Sequence, residues 1–354
     1  MKSTFKITGL MSGTSLDGLD IAHCEFSHNT EGYDFKIIAA ETVSIPEKLE
    51  FQLKKALQLT GLELAQLDVD FGIWMGKKCA EFHLKNNIKE VDAIASHGQT
   101  IFHQPEKSLT LQIGSGAHLA AESNCKVICN FRTSDVANGG NGAPLVPIGD
   151  LFLFPQFDAC LNLGGFSNIS LKKGNEIFAF DISPCNLVAN FLANQLGEKF
   201  DENGKIAKSG FLNQNLLSEL NSLEYYQKNA PKSLGYEWLE KHFLPILNKY
   251  DISADDKLNS CANHIAHQIA MTLNLNNVQK VLVTGGGAFN TYLIDLLKEK
   301  SKSEIIIPDE KIIHFKEALI FAFLGLLRLQ EKENCLKSAT GARKNSIGGA
   351  IFLS

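Results

Sequence analysis

Hydroxyl groups and carboxylates are concentrated in one turn near the N-terminus, where GLMSGTSLDGLD separates two apolar segments. Its hydroxyls belong to Ser12, Thr14 and Ser15, and either Asp17 or Asp20 could hold Mg²⁺ through water. The glycines of the turn would let the backbone approach a triphosphate. They are Gly9, Gly13 and Gly18. A hairpin without a ligand would not need so many small polar residues between two core strands.

A second glycine-rich turn follows an apolar strand in VLVTGGGAFN. Gly285, Gly286 and Gly287 would let the backbone pass close to a flat or anionic ligand, although a tight strand-to-helix turn explains them equally well. No Lys-Ser or Lys-Thr pair follows these glycines, which excludes a Walker loop, and GGGAFN does not match GxGxxG. A nucleotide held here would therefore be held by another class of fold.

Asp181 ends an apolar strand in EIFAFDISPCN, just before a turn and a helix. Proteins of the α/β class place catalytic groups at the carboxyl ends of strands. Partial desolvation there would raise the pKa of the carboxyl group and suit it to general-base chemistry. The alternative is an N-cap aspartate for the helix that begins near Pro184.

Polar side chains also follow the apolar strand VDAIAS, in the segment SHGQTIFHQP. His97 and Gln99 could reach a cleft and bind sugar hydroxyls, the alternative being hydrogen-bonded structural side chains. Arg132 and Asp135, in a loop rich in glycine and asparagine, could contact a substrate carboxylate and hydroxyls respectively. The spacing of His97 and His103 is not a metal-binding signature.

The elements that position these residues alternate between strand and helix. Each half of the chain opens with a hairpin whose turn carries glycines, at residues 5–26 and again at 158–173, and a third strand follows each hairpin. Later strands at 280–284 and 304–308 alternate with helices, which predicts an α/β architecture with mixed or parallel sheets. We interpret the segment 131–150 as a structured loop. The predicted domains are residues 1–135 and 136–354, and the last helix is free to pack back on the first domain.

Composition limits the class of partner. The chain has 354 residues, of which 44% are hydrophobic, and a net charge of -5, which does not favour nucleic acid or anionic membranes. Its longest apolar stretch, 318–327, is far short of the ~20 residues of a membrane helix. Eight cysteines without CxxC spacing favour reduced, buried thiols over zinc. We expect a soluble cytoplasmic protein that binds small molecules.

The motifs together resemble those of the anhydro-N-acetylmuramic acid kinases, in the sugar-kinase, heat-shock-protein and actin superfamily. The matching stretches run in order from residue 9 to residue 352, so the resemblance covers nearly the whole chain. They are GLMSGTSLDGLDIA, SHGQTIFHQP, LQIG, NFRTSDVANGGNGAPLVP, LNLGGFSNIS, FDENGKIAKSG, APKSLG, VTGGGAFN and ATGARKNSIGGAIF.

The resemblance implies a two-domain actin-like ATPase (ribonuclease H-like) α/β fold with an interdomain active-site cleft. It implies a kinase that opens 1,6-anhydro-N-acetylmuramic acid with water and phosphorylates it with ATP and Mg²⁺, in cell-wall recycling. Domain closure would then exclude bulk water. The family's general base falls on Asp181, and Gly285–Gly287 would face the adenosine. The other residues expected to bind the nucleotide are Gly13, Thr14, Ser15, Leu16, Asp17, Gly18, Leu19, Asp20, Gly164 and Gly165.

The sequence departs from the family pattern in two places. DISPCN stands where DTGPGN is common, so that Ile182, Ser183 and Cys185 replace a threonine and two glycines. In the segment APKSLG, Leu234 stands at a position where a threonine is common in the family. Because Asp181 is intact, we expect activity to survive with an altered turn. The alternatives are a related sugar kinase with another substrate, or a non-catalytic sensor of nucleotide or muropeptide. The resemblance also suggests a homodimer.

Overall fold

The computed structural model describes residues 4–13, 16–29, 32–174 and 176–354. Thr14 and Ser15 of the first hairpin turn lie outside the described residues. The strands are β1 (Thr4–Ser12), β2 (Leu19–Asn29), β3 (Gly32–Val43), β4 (Ala93–Ser96), β5 (Gln99–Gln104), β6 (Leu109–Ile113), β7 (Val127–Cys129), β8 (Ala159–Leu163), β9 (Phe166–Lys173), β10 (Glu176–Pro184), β11 (Lys280–Thr284), β12 (Glu304–Ile306) and β13 (Ala350–Phe352).

Helices cover the sheets and connect their strands. They are α1 (Glu47–Lys54), α2 (Gly61–Lys85), α3 (Gly116–Ser123), α4 (Thr133–Ala137), α5 (Pro147–Leu153), α6 (Asn186–Gln195), α7 (Lys205–Ser209), α8 (Gln214–Asn221), α9 (Tyr236–Trp238), α10 (Leu244–Lys249), α11 (Ala254–Leu275), α12 (Thr291–Lys300), α13 (Glu310–Leu329) and α14 (Lys337–Thr340). No helix of the described ranges is long and apolar enough to cross a membrane.

The chain forms two compact units. The first comprises the residues up to Phe154 together with Phe315–Ser354, and the second comprises Pro155–His314. The boundary predicted after residue 135 thus lies inside the first unit. From Phe315 onward α13 belongs to the first unit, where a Cβ at Gly9 of β1 would lie 1.8 Å from the carbonyl oxygen of Ala318. Only glycine permits this approach of helix and strand.

The first unit contains a sheet with the order β13-β7-β4-β1-β2-β3. Strands β1, β2 and β3 form an antiparallel meander, while β4 is parallel to β1 and β7 is parallel to β4. Strand β13 closes the edge antiparallel to β7. Alternate residues of β1 and β2 enter a core shared with α2, where Leu10, Ile21 and Phe71 are completely buried.

The second unit repeats the same plan with the order β10-β9-β8-β11-β12. Strands β8, β9 and β10 are antiparallel, whereas β11 and β12 continue the sheet in parallel. Each sheet therefore begins with a three-stranded meander, and two parallel strands extend it from the first strand, β4 and β7 in the first unit and β11 and β12 in the second. This duplicated arrangement is that of the ribonuclease H-like, actin-like ATPase fold, and it confirms the predicted α/β class.

The segment 131–150 differs from its interpretation as a loop, because it contains α4 and most of α5. Helix α5 begins at Pro147, whose fixed φ suits the first position of a helix. It buries Ile148 and Leu153, and a Cβ at Gly149 would lie 2.4 Å from Ile320 of α13. Contacts with α13, rather than local sequence preference, stabilise this short helix.

Candidate active site

The first hairpin turn, between β1 and β2, places several of the predicted nucleotide-binding residues together. The backbone N–H of Leu16 donates to the carbonyl oxygen of Gly13 at 3.1 Å. Asp17 is exposed, and Asp20 is half-buried at the start of β2. The hydroxyl of Thr42 donates to Asp20 Oδ1 at 2.6 Å. Hence Asp20 has a fixed orientation, and Gly18 and the buried Leu19 anchor the turn in the sheet.

Gln99 lies beside this turn in the first unit. It is buried, and its Oε1 accepts a hydrogen bond from Ser12 Oγ at 2.7 Å. Ser12 is the last residue of β1, so the hydroxyl predicted to face a phosphate is connected to an amide predicted to face a sugar. With its oxygen engaged, Gln99 offers its NH₂ group as a donor.

His97 and Arg132 are also in contact. The guanidinium donates to His97 Nε2 from Nε at 3.0 Å and from Nη2 at 2.8 Å, while Arg132 Nη1 donates to the carbonyl of Gly142. His97 Nδ1 lies 2.8 Å from the carbonyl oxygen of Gly98, so the neutral tautomer carries its proton on Nδ1. Burial and then the charge of Arg132 lower the pKa of His97 to about 3. A neutral imidazole therefore orients the cation.

Asp135 is completely buried in α4. Its Oδ2 accepts from the backbone N–H of Gly142 at 2.8 Å, and its Oδ1 accepts from the hydroxyl of Thr340 at the same distance. The carboxylate thus fixes the glycine-rich loop whose Gly142 carbonyl binds Arg132. The direct sugar contact expected for Asp135 stays a prediction, and the structure adds this structural role.

Glu317 of α13 is an acidic residue for which no sequence motif predicts a role. Its side chain is exposed at the surface. Desolvation by the surrounding protein nevertheless raises the pKa of its carboxyl group, and the negative charge of Asp20 raises it further. Lys316 and Arg132 act in the opposite direction. The neighbouring Lys316 is itself buried and paired with Asp150 at 2.7 Å. An acidic group thus accompanies Asp20, but nothing in the spacing of the sequence indicates this.

In the second unit, two glycine turns come together. A Cβ at Gly285, where φ is +83°, would lie 2.4 Å from Asn162 Oδ1, and one at Gly287 would lie 2.7 Å from Leu163. The backbone N–H of Asn186 donates to the carbonyl oxygen of Gly164, and the side-chain amide of Asn186 donates to the carbonyl oxygen of Leu163. Gly165 and Gly286 are exposed at these turns. The two turns that carry the predicted glycines are therefore in contact, with Gly287 buried between them and Gly165 and Gly286 at the surface.

The three residues after Asp181 that depart from the family pattern are packed or hydrogen-bonded within the second unit. Ile182 and Cys185 are buried in its hydrophobic core, and burial raises the pKa of the Cys185 thiol to about 12. The hydroxyls of Ser183 and Ser167 lie 2.9 Å apart, and the backbone N–H of Ser183 donates to Ser167 Oγ. The turn after Asp181 is therefore held by packing and hydrogen bonds.

Asp181 is half-buried at a bulge of β10, since the register with β9 shifts between Asp181 and Ser183. Its Oδ2 accepts from the backbone N–H of Leu234 at 2.8 Å. Burial raises the pKa of the carboxyl group, although the Leu234 hydrogen bond lowers it in part. The N-cap of α6 is Cys185, so Asp181 does not cap that helix. The alternative of an N-cap aspartate does not hold.

The chain matches the family model described as "Anhydro-N-acetylmuramic acid kinase" over residues 5–354. It belongs to the anhydro-N-acetylmuramic acid kinase family. Curated proteins of that name include one from Francisella tularensis subsp. novicida (strain U112), 34% identical over 97% of each chain, and one from Clostridioides difficile (strain 630), 36% identical over 97% of each. The Bacillus cereus (strain 03BB102) protein is 32% identical over 98% of each.

Solved structures resemble the chain more distantly. The activator of the 2-hydroxyisocaproyl-CoA dehydratase from Clostridium difficile matches with a TM-score of 0.45 and 14% identity, over 92% of this chain and 97% of its own. A ROK family glucokinase from Streptomyces griseus matches with a TM-score of 0.40 and 12% identity, over 90% and 98% respectively.

Family membership confirms the predicted enzyme class. The chain is a kinase, a phosphotransferase with an alcohol group as acceptor, and it acts in amino-sugar metabolism. A kinase must bind both a phosphoryl donor and an acceptor, and the predicted nucleotide-binding glycines and Asp181 are candidates for these two tasks.

Proposed function

We propose that this kinase opens 1,6-anhydro-N-acetylmuramic acid with water and transfers the γ-phosphoryl group of ATP to the freed 6-oxygen. Water adds to the anomeric carbon and gives one proton to Asp181. The bond from that carbon to the 6-oxygen breaks, and this oxygen attacks the γ-phosphorus as ADP leaves. The products are N-acetylmuramate 6-phosphate and ADP, with atoms and charge balanced.

The half-buried carboxylate of Asp181, held by one backbone hydrogen bond, is the observation that supports the proposal. Burial raises its pKa above that of an ordinary aspartate, which makes the carboxylate a stronger base. The Leu234 N–H holds Oδ2 at 2.8 Å, so Oδ1 is the oxygen left to accept the proton from water. A carboxylate fixed in this way is ready to act without rearrangement.

The nucleotide would be bound by backbone rather than by a Walker loop. Gly165 and Gly286 are exposed at the turns 164–165 and 285–287, where the absence of side chains would let the backbone approach the flat adenosine. The turn 13–20 would receive the phosphates, and the hydroxyls expected from Thr14 and Ser15 belong to this proposal although both residues lie outside the described ranges. Bound phosphate groups would add hydrogen bonds to backbone N–H groups.

The residues of the first unit also fit a magnesium ion. Asp20 and Glu317 are hard oxygen donors. Desolvation and then the charge of Asp20 raise the pKa of Glu317, and a divalent cation would relieve the repulsion between the two carboxylates. Asp20 is favoured over the exposed Asp17 because Thr42 orients its carboxylate. When bound, Mg²⁺ would neutralise charge on the phosphate oxygens.

The sugar would be recognised by the cluster of Gln99, His97 and Arg132. The Arg132 guanidinium uses some of its N–H groups to bind His97 and Gly142. Its other N–H groups and its positive charge would bind the carboxylate of a muramic acid. Gln99 would donate to a sugar oxygen. The cytoplasmic location, the homodimer and the interdomain cleft stay predictions.

Sugar-dependent ADP formation tests this function. The purified chain is incubated with Mg·ATP, with and without 1,6-anhydro-N-acetylmuramic acid, and the sugar product is weighed by mass spectrometry. We expect ADP only with the sugar, and a product heavier by one phosphoryl group and one water. A product heavier by the phosphoryl group alone would rule out hydrolytic opening, and turnover with ordinary hexoses instead would favour another sugar kinase.

A further inference from the structure

Asp181 occupies an edge strand, which leaves part of its backbone outside the sheet. Strand β10 pairs only with β9 in the described sheet, and the bulge that follows Asp181 interrupts their register. Backbone groups at such a place need partners from elsewhere in the fold. The position of the carboxylate therefore depends on what binds these groups.

One segment of the second unit supplies all of these partners. The Tyr225 hydroxyl donates to the carbonyl oxygen of Asp181 at 2.7 Å, and the carbonyl of Lys232 accepts from the Asp181 backbone N–H at 3.2 Å. The Leu234 N–H then binds the carboxylate at 2.8 Å. We call Tyr225, Lys232 and Leu234 the Asp181 clamp. It fixes backbone and side chain of one residue together.

Tyr225 is itself rigidly held. It is buried, its ring lies 5.3 Å from that of Trp238, and the Lys232 ammonium stands 4.7 Å above its ring centre. Lys232 Nζ also donates to the Tyr225 carbonyl at 3.3 Å, which closes the clamp on itself. By contrast, the hydroxyl of the adjacent Tyr226 lies 2.8 Å from His264 Nε2 and belongs to a different contact.

We propose that Tyr225 is a positioning residue for catalysis, whose hydroxyl anchors the Asp181 carbonyl so that the carboxylate keeps Oδ2 on Leu234 and presents Oδ1 to water. This inference rests on the proposed role of Asp181 as general base. Removing the hydroxyl leaves a backbone carbonyl without its donor and loosens the clamp. Misplacement of a catalytic group by about 1 Å can lower the rate on the order of 100-fold.

Tyr225→Phe tests the proposal, with Tyr226→Phe as the matched control. We expect Tyr225→Phe to lower kcat about 10-fold or more while KM for both substrates stays within about 2-fold. A weaker Leu234 hydrogen bond would stabilise the charged carboxylate less, so the acid limb of the pH profile should move to higher pH. Tyr226→Phe should leave the acid limb of the pH profile in place, even if it lowers thermal stability as much as Tyr225→Phe does.

A measurement on the unaltered chain covers the case in which Tyr225→Phe does not fold. Hydrogen exchange of the Leu234 and Asp181 amides should be slow if the clamp is closed, and exchange at the rate of an open loop would overturn the proposal. Wild-type kcat and an unmoved acid limb in folded Tyr225→Phe would also overturn it. If Asp181→Asn keeps its turnover, the proposed base fails instead, so the two failures are distinguishable.

Discussion

Arg132 donates two hydrogen bonds to one nitrogen of His97, Nε2, at 3.0 and 2.8 Å. A nitrogen that accepts from a guanidinium cannot also carry a proton, and burial acts in the same direction by lowering the pKa of His97 to about 3. His97 is thus a fixed acceptor that orients a cation, not an acid or base of the reaction.

Replacing His97 should therefore weaken sugar binding without changing the pH profile. We expect His97→Leu to raise KM for the anhydro sugar about 10-fold, since Arg132 loses the acceptor of two charge-assisted hydrogen bonds. Steady-state kinetics between pH 5 and 9 provide the measurement, and His118→Leu serves as the control. Loss in His97→Leu of an inflection near neutral pH that the wild type shows would indicate that His97 titrates there and would contradict this interpretation.

The pH dependence of catalysis should report Asp181. A general base works only when deprotonated, so kcat/KM should fall on the acid side, as pH drops through the pKa of Asp181. Because burial raises that pKa, the fall should begin above the pH at which an ordinary aspartate, with a pKa near ~3.9, is protonated. A profile that is flat down to pH 4, in protein that remains folded, would exclude Asp181 as the base.

Two neighbouring glycines should separate folding from nucleotide binding. Gly285→Ala forces a side chain into a positive-φ position 2.4 Å from Asn162 Oδ1, and we expect it to lower the free energy of unfolding by about 1–3 kcal/mol. A Cβ at exposed Gly286 meets nothing closer than 3.7 Å, so Gly286→Ala should fold normally and instead raise KM for ATP. Denaturant unfolding and ATP kinetics on both variants check this. Equal KM values for Gly286→Ala and wild type would exclude the adenosine contact.

A buried histidine pair in the first unit should make the fold sensitive to acid. His23 Nδ1 and His83 Nε2 lie 3.0 and 2.8 Å from the Thr8 hydroxyl, and burial lowers the pKa of each histidine to about 4. Between about pH 4 and 6.5 the unfolded chain therefore binds more protons than the folded one, so stability increases with pH. This contribution is fully present above about pH 6.5 and is lost as pH falls toward 4.

Thermal unfolding from pH 7 to 4 measures this effect. We expect His83→Gln to make the decline of Tm with acid shallower, because one of the two groups no longer takes up a proton on unfolding. His28→Gln, at an exposed position of the same sheet, should leave the slope unchanged. Equal slopes for all three proteins would contradict the assignment of acid sensitivity to the buried pair.

The sequence predicts those elements whose apolar residues alternate regularly and those turns in which glycines and polar residues cluster. The hairpins around residues 13–18 and 164–165 were predictable because alternating apolar residues flank glycines, and their duplication indicates the fold. The short helices in 131–150 were not, since α5 is stabilised by contact with α13 rather than by its own sequence.

The surroundings of the site were the least predictable part. Asp181 stands out at the end of its strand, but its partner Leu234 lies 53 residues away and acts through its backbone, which any residue other than proline provides. Glu317 approaches Asp20 only because α13 returns to the first unit. Such groups are brought together by tertiary structure and leave no local pattern.

Turnover of Asp181→Asn tests the central claim most directly. ADP formation with Mg·ATP and the anhydro sugar is compared for wild type, Asp181→Asn and Asp251→Asn, an exposed aspartate of the same unit, with binding of both substrates measured by calorimetry. We predict that Asp181→Asn binds both substrates and loses sugar-dependent ADP formation by about 100-fold or more, while Asp251→Asn keeps it. Turnover of Asp181→Asn near that of wild type would contradict the account, because no base would then be missing.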